Sequence, residues 1–439
     1  MDEDRIFSKC AWRLVPFMAL LFLVNFLDRV NVGFAALTMN RDLNFSPSVY
    51  GFGAGVLFIG YFLFQIPSNM ILARLGARRW IFCIVLAWGA LSMANALVRD
   101  TASFYTLRFL LGLAESGYYP GMIFYLTLWF PKAYRARFAA NFLIGLPLSF
   151  VVGAPLSSLI LEMDGALGLH GWQWLFLLEG LPAFALAFAV PAMLPDGPQD
   201  AAFLSPEEKR VIAARLAEEA PQSEQGPLAA LADPRVLALA LIYLADQSAA
   251  FGARLWLPQI VRDLGISNFT TGFVVAVPFV IAIFTMAAWG KSSDIKNERV
   301  WHVTIPLLLS ALGLAVAALT GTGMIVFLAM SLAVIAAPMF LGPFWGLNSH
   351  FFGGRAAAGG IALISAVGSL GGFFGPTVIG VLKEESGSYA PGMWALAVAL
   401  VVATLAVYVL GRRVEAIEAN AKEQGMSGRS SLIHPGGRP

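Results

Sequence analysis

Twelve long apolar segments, separated by short polar loops, constrain this chain more than any other feature. Each is long enough for the roughly 20 residues that carry a helix across a bilayer. Barrel strands alternate over about ten residues, whereas these segments are continuously apolar, so we predict helices. They lie near residues 12–38, 50–73, 79–98, 102–128, 136–161, 172–194, 235–263, 270–290, 300–320, 324–349, 357–382 and 390–411.

The composition agrees with a protein whose solvent is a lipid bilayer. Hydrophobic residues make up 58% and charged residues 13% of the chain, against about 25% charged in soluble domains. A net charge of +2 gives no basic field for nucleic acid. Cys10 and Cys83 match no metal or redox spacing. No nucleophile–base set or metal cluster is evident, so we expect neither an enzyme nor a cofactor.

Lysine and arginine predict the orientation in the membrane. The N-terminus, the even-numbered loops and the C-terminus carry 22 of the 29 basic residues, and the opposite side carries 4. Because cytoplasmic loops are enriched in basic residues, we expect both termini in the cytoplasm. The chain opens on Asp2, Glu3 and Asp4, and the first apolar run continues without a small-residue cleavage site, so we expect no cleavable secretion signal.

An internal repeat relates the two halves of the chain. Arg78 and Arg299 are separated by the same number of residues as Pro155 and Pro376. The two arginines each follow the second span of their half, and the two prolines each lie in the fifth. We call this separation the repeat interval. The pattern predicts an all-α membrane protein of twelve helices in two six-helix lobes, a 6+6 parallel repeat. Glycines within the spans allow close helix packing.

The repeat divides the chain into four parts. We predict a first lobe at 1–194 and a second lobe at 235–412. Residues 195–234 form a cytoplasmic linker, in which Ser205 to Glu208 reads as a capping box before a short amphipathic helix. Residues 413–439 form a cytoplasmic tail that we expect to be disordered.

Seven charged residues fall within the spans, where each costs about 2.5–3.5 kcal/mol or more. They are Asp28, Arg29, Arg108, Glu115, Glu179, Asp246 and Arg254. Adjacent Asp28 and Arg29 point about 100° apart on a helix, so each meets a different partner. Arg108 and Glu115 share one stripe of span 4 at the depth of that pair, so spans 1 and 4 can pair across.

Two interpretations of these charges remain open. One is an anion pocket beside proton-accepting carboxylates, because arginine offers a planar fork that fits a carboxylate. The other is a structural network of ion pairs. We favour the pocket, because a static network does not need charges clustered on two interior helices.

The second lobe offers a further cation. Arg254 either pairs with Asp246 through water or supplies a second anchor for a substrate with two carboxylates. Glu179 is interpreted as structural. Other polar and aromatic side chains could line the pocket: Tyr61, Gln65, Trp345, Asn348, Ser365 and Ser369.

Several motifs resemble the anion:cation symporters of the major facilitator superfamily, over nearly the whole chain. They are LDRVN at 27–31, IGYF at 59–62, IPSN at 66–69, GARRW at 76–80, Arg108 through Glu115 to Pro120 and Gly121, WQWLF at 172–176, WLPQ at 256–259 and AAAGGIAL at 356–363. Relatives include bacterial permeases for tartrate, phthalate, hydroxyphenylacetate and sugar acids.

The resemblance implies roles for individual residues. Arg29 would hold the substrate carboxylate, Asp28 and Glu115 would be proton-coupling acids linked to Arg108, and Tyr61 would line the pocket. The loops after spans 2 and 8 resemble the gating motif of the superfamily, represented by Gly76, Arg78, Gly290, Asp294 and Arg299. The first loop departs from that motif, with Asn69 in place of glycine and Ala73 in place of aspartate.

We therefore expect a proton-coupled symporter of an organic carboxylate that works by alternating access. The expected substrate is a dicarboxylate or aromatic acid such as phthalate or tartrate, or a sugar acid. The alternative is an anion exporter, antiporter or uniporter on the same fold. Its expected partners are a small organic anion, protons and lipid, with no nucleic acid. We expect a monomer in a bacterial inner membrane, with the proton gradient as its energy source.

Overall fold

The computed structural model describes residues 3–131, 134–135, 145–218, 233–321, 323–351 and 356–430. The helices of the first half and linker are α1 (Glu3–Asp42), α2 (Pro47–Leu75), α3 (Ala77–Ala94), α4 (Thr101–Glu115), α5 (Tyr118–Trp129), α6 (Gly145–Leu161), α7 (Gly171–Ala187), α8 (Val190–Met193) and α9 (Pro206–Glu218). Those of the second half are α10 (Pro234–Arg262), α11 (Asn268–Lys296), α12 (Val300–Thr320), α13 (Met324–Phe351), α14 (Ala356–Ser369), α15 (Gly371–Ser386) and α16 (Ala390–Ser430). Short 3-10 turns cover Asn95–Leu97, Ala166–Gly168 and Pro198–Asp200.

The predicted membrane helices are present. Nine helices within the described ranges are long and apolar enough to cross a membrane. The other three predicted spans correspond to shorter helices: span 4 to α4 and α5, span 5 to α6, and span 6 to α7. Span 4 is broken at Gly117, where a side chain would collide with Ser68 of α2. The first part of span 5, residues 136–144, lies outside the described residues.

The internal repeat is confirmed at the level of single residues. Helices α2 and α11 have the same length, and their first residues, Pro47 and Asn268, are separated by the repeat interval. Ser46 caps the first of them and Ser267 caps the second, each by accepting a backbone N–H three residues ahead. Both helices are followed by a residue with positive φ, Gly76 or Asn297. The two halves are therefore copies of one six-helix unit.

The two lobes close against each other at one end of the bundle. The first half of α2 packs along α15, so closely that a Cβ on Gly51 would lie 2.5 Å from the carbonyl oxygen of Pro376. The Tyr50 hydroxyl donates to the carbonyl of Leu255 in α10 at 2.8 Å. Phe150 of α6 stacks on Phe279 of α11 with ring centroids 4.4 Å apart.

The lobes separate toward the other end of α2. The face of α2 that meets the second lobe includes Gly51, Gly55 and Phe58, and it is buried at Gly55 and Phe58. One and two turns later, the same face is only half-buried at Phe62 and Gln65. The space between the lobes is thus a cleft, sealed where α2 begins and wider where α2 ends.

The described part of the linker packs on the first lobe, and residues 219–232 lie outside the described residues. Ser205 and Glu208 form the predicted capping box of α9, with backbone-to-side-chain distances of 2.8 and 3.2 Å. Lys9 of α1 bonds Glu208 at 2.9 Å, and Ile212 is buried. The last helix, α16, runs to Ser430, past the residue 413 at which the tail was expected to begin. Residues 431–439 lie outside the described residues.

Replacing Gly51 by valine should force the lobes apart at the sealed end. The new side chain meets backbone atoms of α15, which cannot rotate away. Spin labels on exposed Arg41 and Glu385, in a background without Cys10 and Cys83, report this opening. We expect a longer mean distance between the labels than in the wild type, measured by pulsed electron paramagnetic resonance.

Gly342→Val is the matched control, because a Cβ at Gly342 meets nothing within 4 Å. It should leave the label distance unchanged. A Gly51→Val distance equal to that of the wild type would show that this contact does not hold the lobes together.

Candidate functional site

An ion pair between α1 and α4 lies at the centre of the site. The Arg29 Nε donates to Glu115 Oε2 at 2.8 Å. The Glu115 side chain is fully buried and that of Arg29 is 11% exposed. Glu115 Oε1 is buried and finds no hydrogen-bond partner among the described residues. The ion pair thus joins spans 1 and 4, and Arg29 is the member of the pair that faces the space between the lobes.

Aromatic rings surround the free side of the Arg29 guanidinium. Its Cζ lies 5.0 Å from the ring centre of Phe26, 4.9 Å from that of Tyr61 and 6.0 Å from that of Phe58. Ring faces attract a cation, most strongly where water is excluded. The rings and Glu115 therefore hold a positive charge at the edge of the cleft.

Asp28 points away from Arg29 into the first lobe. Its carboxylate accepts hydrogen bonds from the Ser92 hydroxyl at 2.5 Å, from Asn31 Nδ2 at 3.3 Å and from the Trp88 indole. Only 1% of the residue is exposed. Neighbouring residues on one helix thus meet different partners, as the rotation of about 100° per residue requires.

Arg108 is a buried cation with few partners. It is 1% exposed, and its Nε and Nη1 have no hydrogen-bond partner in the described part of the chain. It acts electrostatically on Glu115, Asp28 and Tyr50. An unpaired buried charge is costly, so this site favours a bound anion or ordered water nearby.

Arg254 of the second lobe lies over two aromatic rings rather than against an acid. Its Cζ is 5.4 Å from the ring centre of Phe150 and 5.5 Å from that of Phe251. No direct ion pair between Arg254 and Asp246 occurs among the described side chains, and Asp246 instead accepts from Gln247 at 2.9 Å. Arg254 Nε is buried and without a partner in the described structure.

The same aromatic cluster connects the two arginines across the lobe interface. Phe58, which contacts Arg29, meets Phe251, which contacts Arg254, at a centroid distance of 4.5 Å. Phe26 and Phe150 make a second such contact at 6.4 Å. Sequence analysis did not single out these phenylalanines, because phenylalanine is common throughout membrane helices.

The other candidate pocket residues differ in how well their polar atoms are satisfied. Both amide atoms of Asn348 are buried without a partner in the described structure, as is Gln65 Oε1. The Trp345 ring meets Tyr243 edge-on at 5.4 Å. The Ser369 hydroxyl donates within its own helix, to Ala366 at 2.7 Å. Asn348 and Gln65 thus keep free hydrogen-bonding capacity, whereas Ser369 does not need a ligand.

The two gating loops are held by different acids. In the second, Arg299 bonds Asp294 and Ser293, both at 2.7 Å, and Gly290 borders open space. In the first, the backbone N–H of Arg78 donates to Asp196 of the linker at 2.8 Å. Gly76 has φ +88°, and a Cβ there would lie 2.7 Å from the same Asp196 carboxylate. Asp196 thus supplies a carboxylate near the loop in which Ala73 replaces the usual one.

The charged cluster belongs to one lobe alone. At the repeat interval, its members Asp28, Arg29, Arg108 and Glu115 correspond to Ala249, Ala250, Ala329 and Ala336. All four alanines are buried. Because the second lobe builds the same six-helix unit with methyl groups at these positions, the unit does not need the charges in order to fold.

A family comparison settles the class of protein. Residues 18–376 match the model of the Major Facilitator Superfamily. The chain belongs to this superfamily. A protein of Agrobacterium vitis, whose name proposes a tartrate transporter, is 46% identical over 413 residues, 93% of this chain and 95% of its own. The inner membrane transport protein RhmT of Escherichia coli is 36% identical over 410 residues, 93% of this chain and 95% of RhmT.

One further relative and one solved structure extend the comparison. A quinolone resistance transporter of Acinetobacter baumannii is 39% identical over 421 residues, 94% of this chain and 96% of its own. The crystal structure of a bacterial homologue of the lysosomal transporter Spinster, inward-facing and occupied, matches with a TM-score of 0.75 and 18% identity, over 91% of this chain and 96% of its own. The predicted superfamily and fold are confirmed, and the chain is a multi-pass membrane transporter.

Arg108→Met tests whether the charges serve structure or function. Arg108 Nε and Nη1 have no hydrogen-bond partner in the described structure, so an apolar chain of similar length removes the desolvation cost of a buried cation without breaking a direct ion pair. We expect an unfolding temperature in detergent equal to that of the wild type or higher, together with impaired transport. Trp88→Ala, which empties a fully buried site, is the control and should cost about 3–5 kcal/mol. A drop for Arg108→Met as large as that of the control would support the structural network.

Proposed function

We propose that this transporter is a proton-coupled symporter of small organic carboxylates, with a preference for dicarboxylates, in a bacterial inner membrane. The observation that carries the proposal is the pairing of Arg29 with a single buried acid, Glu115, at the edge of the cleft. The relatives named for tartrate transport support this class of substrate.

The arrangement of cations suits an anion with two charged ends. Arg29 comes from the first lobe and Arg254 from the second, and each presents a guanidinium fork that can bind a carboxylate through two parallel hydrogen bonds. Two aromatic contacts separate them. The unsatisfied amides of Asn348 and Gln65 could bind hydroxyl groups such as those of tartrate.

Proton coupling follows from competition for Arg29. While Glu115 is ionised, it occupies the guanidinium. A proton on Glu115 removes that ion pair and leaves Arg29 free to bind the substrate carboxylate. Proton and anion must then strengthen each other's binding by the same factor. Asp28 is the second acid of the proposed mechanism, and buried Arg108 acts on the charge of both acids.

Alternating access follows from the closed and open ends of the cleft. The basic loops support a cytoplasmic location for the termini, and the wider end of the cleft lies on the same side as the termini. The conformation described is then inward-facing, with the outer end sealed between α2 and α15. In the proposed cycle, proton and anion enter from outside, the lobes rock about the site, and both leave into the cytoplasm.

An exporter or antiporter is the second candidate. The relative named for quinolone resistance shares 39% identity and nearly the whole length of the chain. Dyes that report pH inside proteoliposomes separate the two. Symport acidifies the lumen as tartrate enters, whereas antiport makes the lumen more alkaline.

Arg29→Ala should abolish substrate uptake, since it removes the cation that binds the carboxylate. We expect tartrate uptake into proteoliposomes to fall by about 100-fold, as for the loss of a strong charge-assisted contact of about 3 kcal/mol. Arg29→Lys should recover only part of the activity, because an ammonium group lacks the planar fork. Unimpaired uptake by correctly inserted Arg29→Ala protein would reject the proposed site.

Glu115→Gln should separate binding from proton coupling. The amide keeps the shape of the acid but does not ionise, so it cannot take up and release a coupling proton. We expect exchange of labelled for unlabelled tartrate to persist, while accumulation driven by a pH gradient is lost. Exposed Glu162→Gln is the control. The coupling role would be refuted by a Glu115→Gln protein that still concentrates tartrate in response to the gradient.

A further inference from the structure

Glu179 is a fourth buried acid that the proposed mechanism does not use. It lies on α7 and is 2% exposed. Its Oε1 accepts a hydrogen bond from the Ser157 hydroxyl at 2.7 Å. Its Oε2 is buried and has no partner among the described residues. A carboxylate left half-satisfied in a dry interior is costly, whereas a protonated carboxyl group can donate a hydrogen bond from that second oxygen.

Asn31 stands between Glu179 and Asp28. Its Nδ2 donates to Asp28 Oδ1 at 3.3 Å, and the Asn31 side chain also has a hydrogen-bonding interaction with the Glu179 carboxyl group. The Asn31 Oδ1 is also buried without a partner in the described structure. Two neighbouring side chains, Asn31 and Glu179, therefore each carry an acceptor oxygen without a partner in the described structure. A single proton on Glu179 would turn one of them into a donor.

The surroundings of Glu179 leave Asp28 as the charged group that acts on it. Helix α1 presents Asp28 and Asn31, and α6 presents Ser157. Helix α3 packs against Gly180, next to Glu179, through Ser92 and Met93. Within the described residues, no other charged side chain acts on Glu179.

The second lobe shows that the fold does not need this arrangement. At the repeat interval, Glu179 corresponds to Leu400, which is fully buried. Asn31 corresponds to Gly252 and Asp28 to Ala249. An apolar side chain thus fills the place of Glu179 in the other copy of the six-helix unit.

We propose that Glu179 and Asp28 share one proton through the amide of Asn31, so that Glu179 is a third acid of the proton-coupling set. This inference rests on the proposed function. In one state, Asp28 is ionised and accepts from Asn31, and protonated Glu179 donates to Asn31 Oδ1. Between the two states, the O–H bond of Glu179 breaks as Asn31 Oδ1 takes the proton, the O-protonated amide turns over, and Oδ1 releases the proton to Asp28. In the second state, protonated Asp28 donates to Oδ1, and Nδ2 donates to ionised Glu179. The pair holds one proton in both states, so the total charge is unchanged.

The consequence is a proton store away from the cleft. Asp28 interacts with Glu115 and Arg108, so moving the proton between Asp28 and Glu179 changes the charge that the substrate site experiences. Glu179 is itself buried within the first lobe and contacts no cleft residue named above, so we assign it to proton handling rather than to substrate binding.

Glu179→Gln tests the inference in proteoliposomes. Glutamine keeps the size and a hydrogen-bond donor but cannot ionise. We expect tartrate exchange to remain close to that of the wild type, whereas accumulation driven by a pH gradient falls at least about tenfold and the pH profile flattens. Asn31→Leu leaves both acids in place but removes the link, and should flatten the profile in the same way.

Two further variants distinguish a role in proton coupling from a structural role. Ser157→Ala removes only a donor to the ionised form of Glu179, so the pH profile should move to higher pH without loss of exchange. Exposed Glu162→Gln should behave as the wild type. Infrared spectroscopy supplies a readout without transport: a protonated carboxyl band present in the wild type should be missing from Glu179→Gln.

The possible failures can be told apart. Wild-type protein that transports no carboxylate would refute the proposed function, and the infrared band would still test the shared proton. Normal transport together with an unchanged pH profile and an unchanged band in Glu179→Gln would overturn this inference alone. A Glu179→Gln protein that loses exchange and accumulation equally would also overturn it, because that result indicates a structural role.

Discussion

The buried ion pair between Arg29 and Glu115 is the interaction on which the site depends. It joins α1 to α4 and holds a cation at the edge of the cleft with one acid and three aromatic rings. A charge in a membrane interior requires a partner, and here that partner can be neutralised by a proton. In the proposed mechanism, binding of the anion and binding of the proton are linked without a large rearrangement of the first lobe.

Duplication of the six-helix unit explains how the site became asymmetric. The first copy carries the acids and two arginines, and the second has alanine at the corresponding positions. The second copy contributes Arg254, which corresponds to Gly33 of the first. Gly33 lies in close contact with α10, where a Cβ would be 3.3 Å from the carbonyl oxygen of Leu255. Both copies thus supply arginine side chains, and the proposed substrate site lies at their interface.

Much of the fold followed from the sequence, because lipid imposes long apolar helices and the repeat fixes their arrangement. The contact between spans 1 and 4 was also predictable, because charged residues inside a membrane pair with one another and these lie at the same depth. The sequence did not predict that Trp88 and Ser92 donate to Asp28, because an indole and a hydroxyl on an apolar helix give no distinctive signal. The break at Gly117 and the Asp196 contact depend on helix packing that single-sequence periodicity does not contain. Sequence left open whether Arg254 pairs with Asp246, and only the coordinates show it over aromatic rings.

The most direct measurement is the number of protons taken up when tartrate binds to the purified protein. Calorimetry in buffers of different ionisation enthalpy gives this number, and it requires neither a membrane nor a gradient. Release of Arg29 by protonation of Glu115 predicts net uptake of protons by the wild type, reduced in Glu115→Gln while tartrate still binds. Binding without proton uptake in the wild type, or the same uptake in both proteins, would contradict the mechanism.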